Sequence, residues 1–191
     1  MRAKFINEEK NIGFERGIDP RKAMGIGRQA LIERWLDEMG VGGWSLDADL
    51  RIIVDGDVNL SSMGLKLFPS FIQFKKVEGS FYLSDNGLTS LRGAPSYVGG
   101  DFTCSYNKLK TLIWAPSIVD GSFYCNYNNL TDLKGSPSIV KGRFSCGSNK
   151  LVSLEGITPE IGGFFVFVNN PLKISEEEVR KMSHIIGEVH F

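Results

Sequence analysis

Hydrophobic and polar positions in this chain recur with a period too long for one helix or one strand. Phe81, Phe102, Phe123, Phe144 and Phe165 fall 21 residues apart without a slip. So do Asn86, Asn107, Asn128, Asn149 and Asn170, and Gly79, Gly100, Gly121, Gly142 and Gly163. Leu88 and Leu91 open two further columns, and Pro95, Pro116 and Pro137 another, with Pro159 displaced by one. The unit reads V-x-G-x-F-x-C-x-x-N-x-L-x-x-L-x-G-x-P. A degenerate copy precedes it: Val54, Gly56, Val58, Leu60 and Leu65 match at a spacing of 23, with Met63 in the asparagine column. Repetition at so short a period predicts stacked coils that share one continuous core, with atypical units at the ends.

Each column has a physical role in such a coil. Phe102-x-Cys104 alternates as a short strand does, with every second side chain inward. The asparagine comes three residues after the cysteine column, where the chain leaves the strand. Its amide is suited to bond backbone groups within the turn and in the next coil. The leucines fill the interior from the returning segment, and Gly79 and its equivalents mark a bend that excludes a Cβ. At the N-terminal end, Asp19-Pro20 reads as an N-cap and first helical residue. Leu31, Ile32, Trp35, Leu36 and Met39 then predict an amphipathic helix over 20–39. At the C-terminal end, Ser175 and Glu178 form a capping-box pattern. Val179, Met182 and Ile186 supply an apolar stripe that Gly187 would stop, leaving a tail free to add a strand. The organisation expected is a segment and helical cap over 1–48, the array over 49–174, and a helical cap over 175–191.

The segment Phe102-Thr103-Cys104-Ser105-Tyr106-Asn107-Lys108-Leu109 resembles the L-x-L-x-x-N-x-L core of leucine-rich repeats, with Phe and Cys at two leucine positions. The spacing is similar to that of bacterial leucine-rich-repeat effectors, which have short units. The resemblance implies an α/β leucine-rich-repeat solenoid with one parallel sheet of about six short strands, capped by helices at both ends. One departure stands out: Val98 lies four residues before Phe102, where the family has three, which predicts a bulge. The opening Phe14-Glu15-Arg16-Gly17-Ile18-Asp19-Pro20 through Met24-Gly25-Ile26-Gly27 resembles that of small leucine-rich-repeat proteins of large tailed bacteriophages. That resemblance implies a phage origin and the cytoplasm of the infected bacterial host. It implies no reaction.

Composition changes this picture little. The 22 Lys+Arg and 22 Asp+Glu cancel, which argues against a whole-molecule attraction to nucleic acid or an anionic membrane. Neither partner is expected on that ground. The 22 glycines among 191 residues, roughly 12% against a usual 7%, fit a chain with many turns. No apolar run is long enough to span a membrane, and the charged start does not read as a signal peptide.

Candidate chemistry is sparse. Cys104, Cys125 and Cys146 share a column with Leu83 and Phe167, which marks core packing rather than a metal or redox row. Gly25-Ile26-Gly27-Arg28-Gln29-Ala30 fits a loose dinucleotide fingerprint, but no strand precedes it. His184 and His190 lack a partner that would make either a general base. The sequence therefore predicts no enzyme, no cofactor and no metal. What remains is a surface. Tyr82, Thr103, Tyr124 and Val166 point outward from the predicted strands. Asp101, Arg143 and Phe164 lie one step earlier, Asn126 one step later, and Tyr106 and Tyr127 flank the face. Such mixed Tyr, Asn, Thr and Arg suit protein recognition. Phe164, Val166 and Val168 make either a sticky patch or a surface covered by the C-terminal segment. The function expected is a protein-protein interaction module that occludes a host or phage protein, with host-defence antagonism as its setting. The alternative is a structural or assembly component of the phage particle. Self-association through the repeat face or an end cap is a further option.

Overall fold

The computed structural model describes residues 20–191, with side chains from residue 27 onward. The mixed-charge segment and the Asp19 cap expected from the sequence lie outside the described residues. Helix α1 (Pro20–Glu38) leads into strands β1 (Trp44–Leu46), β2 (Ile52–Val54), β3 (Val58–Asn59), β4 (Phe74–Val77), β5 (Phe81–Tyr82), β6 (Tyr97–Val98) and β7 (Phe102–Thr103). There follow β8 (Ile118–Val119), β9 (Phe123–Tyr124), β10 (Ile139–Val140), β11 (Phe144–Ser145), β12 (Glu160–Ile161) and β13 (Phe165–Val166). Helix α2 (Glu176–Met182), β14 (His184–Ile185) and β15 (Val189–His190) complete the chain.

The strands form two sheets, not one. The first has eight strands in the order β1-β2-β4-β6-β8-β10-β12-β14, and the second has seven in the order β15-β13-β11-β9-β7-β5-β3. Every pair is parallel except the hairpin β1–β2. The expected single sheet of about six strands is thus corrected, and the cause is the departure at Val98. Val98 and Phe102 are both buried. The residues between them form an elbow, so each regular coil contributes an aliphatic residue, valine from Val77 to Val140, to one sheet and a phenylalanine to the other. The chain is a β-solenoid of about seven turns with repeats of about 21 residues. Each coil has three sides: a strand in each sheet and a returning segment.

Glycine makes the elbow possible. A Cβ on Gly163 would lie 2.8 Å from the Gly142 carbonyl carbon, closer than real Cβ contacts allow. The bare backbones instead bond directly: Gly142 N–H donates to the Gly121 carbonyl at 2.9 Å, and Gly163 N–H to that of Gly142 at 2.9 Å. Behind the elbow, the phenylalanines pack in a continuous column with ring centroids 5.9, 5.3, 5.1 and 5.7 Å apart from Phe81 to Phe165.

The array is closed at both ends. At the first, Ile32, Trp35 and Leu36 of α1 are buried, and Trp35 packs on Phe68 and Phe74. Leu31, expected in that apolar stripe, is exposed. The Gly25–Ala30 fingerprint lies inside α1, so it cannot form a phosphate-binding turn between strand and helix. At the other end the capping box at Ser175 and Glu178 forms as expected. The helix stops at Met182 rather than Gly187, and of its predicted stripe only Val179 is buried. Backbone bonding to the sheets explains the early stop. Ile185-x-Gly187-x-Val189 is a further degenerate copy of V-x-G-x-F, and β14 and β15 join the two sheets in parallel. Arg180 then donates to the outer-edge carbonyls of Ile185 at 2.8 Å and Gly187 at 2.9 Å while paired with Glu176. A charged side chain on a sheet edge blocks further strand addition.

The asparagine column ties coil to coil. Asn128 Nδ2 donates to the carbonyls of Cys104 at 3.0 Å, Cys125 at 3.2 Å and Asn126 at 3.2 Å, and its Oδ1 accepts from Leu109 N–H at 3.0 Å. Two of those partners belong to the preceding coil. Asn107 and Asn149 repeat the pattern. Removing such a group strands several buried backbone atoms, each worth roughly 1–3 kcal/mol. Asn128→Ala is therefore expected to cost at least about 3 kcal/mol in denaturant unfolding. Cys125→Ala, which removes only a buried sulfur, should cost less than half as much.

Candidate functional site

The outward residues of the second sheet fall into register. Tyr82 lies opposite Thr103, Thr103 opposite Tyr124, Tyr124 opposite Ser145, and Ser145 opposite Val166. The structure thus gathers Tyr82, Thr103, Tyr124 and Val166 into one row, as the sequence predicts. His190 ends the row opposite Val166.

Several neighbouring residues have work within the fold. Asp101 Oδ1 accepts from Ser122 N–H at 2.7 Å, and Asp101 N–H donates to Ser80 Oγ at 3.0 Å. Ser122 Oγ in turn accepts from Arg143 N–H at 3.1 Å. This Ser/Asp column is a ladder that satisfies the backbone at the elbow. Asn126 Oδ1 accepts from Ser145 Oγ at 2.7 Å and Gly147 N–H at 2.8 Å, so its amide also serves coil stacking. The Thr103 hydroxyl lies 2.6 Å from that of Ser84. Tyr82, Tyr124 and the Arg143 side chain carry no such ladder bond.

The apolar end of the face is partly covered. Phe164 remains 39% exposed, with the His190 ring 5.5 Å away and the Arg143 guanidinium 5.4 Å over its ring. Phe167 is buried against Phe191. The cover comes from the strand β15 and the residue after it, not from helix α2.

Tyr106 and Tyr127 stand apart from the row, at the corner where the chain leaves the second sheet. Their rings stack with centroids 4.3 Å apart and planes 10° apart. Desolvation, and the contact with Tyr127, push the Tyr106 phenol above its ordinary value. Both residues have left-handed backbone, φ 56° and 53°. The equivalent positions hold Ser62, Asp85, Ser148 and Asn169, small polar residues that tolerate this conformation better.

A second departure escaped the sequence reading. Gly93, Gly135 and Gly156 are left-handed at the corner where the returning segment meets the first sheet. The fourth member of that column is Trp114, with φ 76°. A bulky residue there costs roughly 1–2 kcal/mol. Ile113 beside it occupies a column otherwise held by Arg92, Lys134 and Glu155. The signal was available in the repeat, as a break in the glycine column. Both side chains are exposed, Trp114 by 60% and Ile113 by 51%.

At the N-terminal end a depression is lined by Arg28, Ala48, Asp49, Leu50, Arg51 and Gln73. Beside it, Asp47 accepts backbone and side-chain bonds from Arg51 and pairs with Lys75, which hold its carboxyl well below the usual range. These bonds fix the β1–β2 hairpin turn. Among the described residues, no group of three or more His, Cys, Asp or Glu side chains is placed to hold a metal.

No protein-family model, curated protein or solved structure matches the chain. Its class rests on the coordinates alone: a β-solenoid with two parallel sheets.

Cys104, Cys125 and Cys146 are free and fully buried, and burial pushes all three thiols well above their ordinary range. A thiol-specific reagent at pH 8 is expected to leave them unmodified in the folded protein, and to modify all three once denaturant is added. Rapid labelling without denaturant would contradict the packing described here.

Proposed function

We propose that this protein is a non-enzymatic recognition module that binds a protein across its second sheet and occludes that partner's working surface. The observation that carries the reading is the division of labour on that sheet. Asp101 and Asn126 are bonded into the coil ladder, while Tyr82, Tyr124 and Arg143 are left to face outward on a backbone held by hydrogen bonds on both sides. Tyrosine and arginine on a rigid support are the side chains that most often dominate binding energy. At roughly 4.8 Å per coil, the row from Tyr82 to Arg143 spans about 14 Å, the width of an interface centre. Phe164 extends it at one end as an exposed apolar residue.

The resemblance of the opening segment to small phage proteins supports a partner in the infected bacterial cytoplasm. Antagonism of a host defence is the setting that fits an occluding scaffold there.

The test is partner capture from nuclease-treated extracts of infected cells, followed by affinity measurement with the captured protein. Tyr124→Ala combined with Arg143→Ala should weaken binding at least about tenfold, with the melting temperature within about 2 °C of wild type. Ser117→Ala with Ser138→Ala, exposed residues just before β8 and β10 of the first sheet, should change neither. Wild-type affinity in the Tyr124/Arg143 variant would place the site elsewhere.

A further inference from the structure

The third side of the solenoid, formed by the returning segments, has a charge pattern unlike the other two. The two outward columns next to the asparagine corner include Lys66, Lys108, Lys110, Lys150 and Lys173, all exposed, and contain no acidic residue. The columns nearer the Trp114 corner carry Asp132 and Glu155 beside Arg92 and Lys134, so the side as a whole remains cationic. Coil-to-coil bonds such as Thr89 N–H to the Lys66 carbonyl (3.2 Å), Lys108 N–H to the Leu88 carbonyl (2.9 Å) and Lys150 N–H to the Leu130 carbonyl (2.9 Å) keep these columns aligned. From Lys66 to Lys173 they extend over about 24 Å at the usual strand spacing. The other lysines with described side chains are neutralised: Lys75 by Asp47, Lys76 by Glu78, Lys134 by Glu155 on the same side, Lys141 by Asp120 and Lys181 by Glu177. Among the described residues, none of the five on the returning side has a carboxylate within salt-bridge distance.

Aromatic residues stand at both corners of this side. Tyr106 and Tyr127 form the stacked pair at one, 54% and 50% exposed, and Trp114 projects from the other. Within one coil the order is Tyr106, Lys108, Lys110, Trp114. Gly93 and Gly135 flank Trp114 in its column and carry no side chain to cover the indole. All three aromatics hold left-handed backbone that small residues or glycine take in the other coils. Their exposure means that burial within the fold does not offset that strain, and strained outliers of this kind cluster at binding sites.

We infer that the returning side binds single-stranded nucleic acid, with lysines along the phosphates and Tyr106, Tyr127 and Trp114 stacking on bases. Uncompensated cations select a polyanion, and flat exposed rings at two corners select one whose bases are free to stack. An acidic protein would complement the lysines, but it would meet separated aromatics with charge between them, the reverse of an apolar interface core with a charged rim. Zero net charge is no obstacle. At physiological salt, charges more than about 8 Å apart are largely screened, so the face governs binding and not the total. This site lies on a different side from the proposed protein-binding row and stands independently of it.

The experiment is fluorescence anisotropy of the full chain with labelled oligothymidylate and oligouridylate of about 12 nucleotides, within the usual site sizes of stacking platforms. A duplex of the same length and poly-glutamate serve as comparators. The single strands should bind, more tightly than the duplex, with a log–log salt slope of about −2 to −3, as for about four neutralised phosphates. The DNA and RNA arms show which sugar is preferred. Trp114→Gly, which restores the residue of its column, should weaken binding at least about fivefold. Lys108→Gln with Lys110→Gln should make the slope shallower by about 1. Circular dichroism and melting temperature establish that each variant is folded. The inference is overturned by the absence of single-strand binding at about 50 mM salt. Poly-glutamate binding as tightly as the oligonucleotides overturns it too, in favour of an acidic protein, and so does undiminished binding by folded Trp114→Gly.

Discussion

The side-chain amide of one asparagine per coil is the contact on which the rest of the solenoid depends. Parallel strands of two residues hold few hydrogen bonds, and the turn that follows them buries carbonyls that no strand can satisfy. Asn128 bonds three carbonyls and one N–H, in its own coil and the preceding one. To reach them the chain enters the left-handed region one residue before each asparagine, from Asp85 through Asn169. The leucines that follow are thereby aimed inward, and the phenylalanine and cysteine columns stack behind them. Glycine at the elbow is the second requirement, because successive coils approach there backbone to backbone.

Much of this was legible in the spacing. Fixed columns of Phe, Asn, Gly and Leu specify stacked coils, and their inward or turn-forming roles follow from residue chemistry. What misled was analogy with a repeat whose coil has a single sheet. On that analogy the extra residue between Val98 and Phe102 predicts a bulge, whereas it is an elbow that converts one strand into two. The last coil was hidden for a different reason. Its Ile185-x-Gly187-x-Val189 follows the preceding copy by 24 residues, with helix α2 inserted, and Ile and Val replace the usual Val and Phe. Helical periodicity and repeat periodicity competed for the same residues, and backbone pairing with β12 and β13 decided the outcome.

The candidate sites were less legible, since an outward position is a place where the repeat imposes little. The alternation of strands identified Tyr82 and Tyr124 as outward-facing. It could not reveal that Asp101 and Asn126, in similar columns, are bonded into the ladder. Nor could charge counting reveal that neutral totals conceal a returning side with five unpaired lysines among the described residues. The most informative positions are those where a column breaks. Trp114 among glycines, and Tyr106 and Tyr127 among small polar residues, keep the backbone the stack demands while placing a side chain poorly suited to it.

The central claim is that the columns serve the stack while these breaks serve something outside it. It predicts that removing a break relieves the fold. The direct measurement is the melting temperature of Trp114→Gly beside wild type, without any ligand. Glycine accepts the left-handed backbone that tryptophan resists, and relief of about 1 kcal/mol corresponds to roughly 2–4 °C in a chain of this size. A rise of that order with an unchanged circular dichroism spectrum is the result predicted. A fall in melting temperature would show that Trp114 is held for the fold's own stability and would contradict the account.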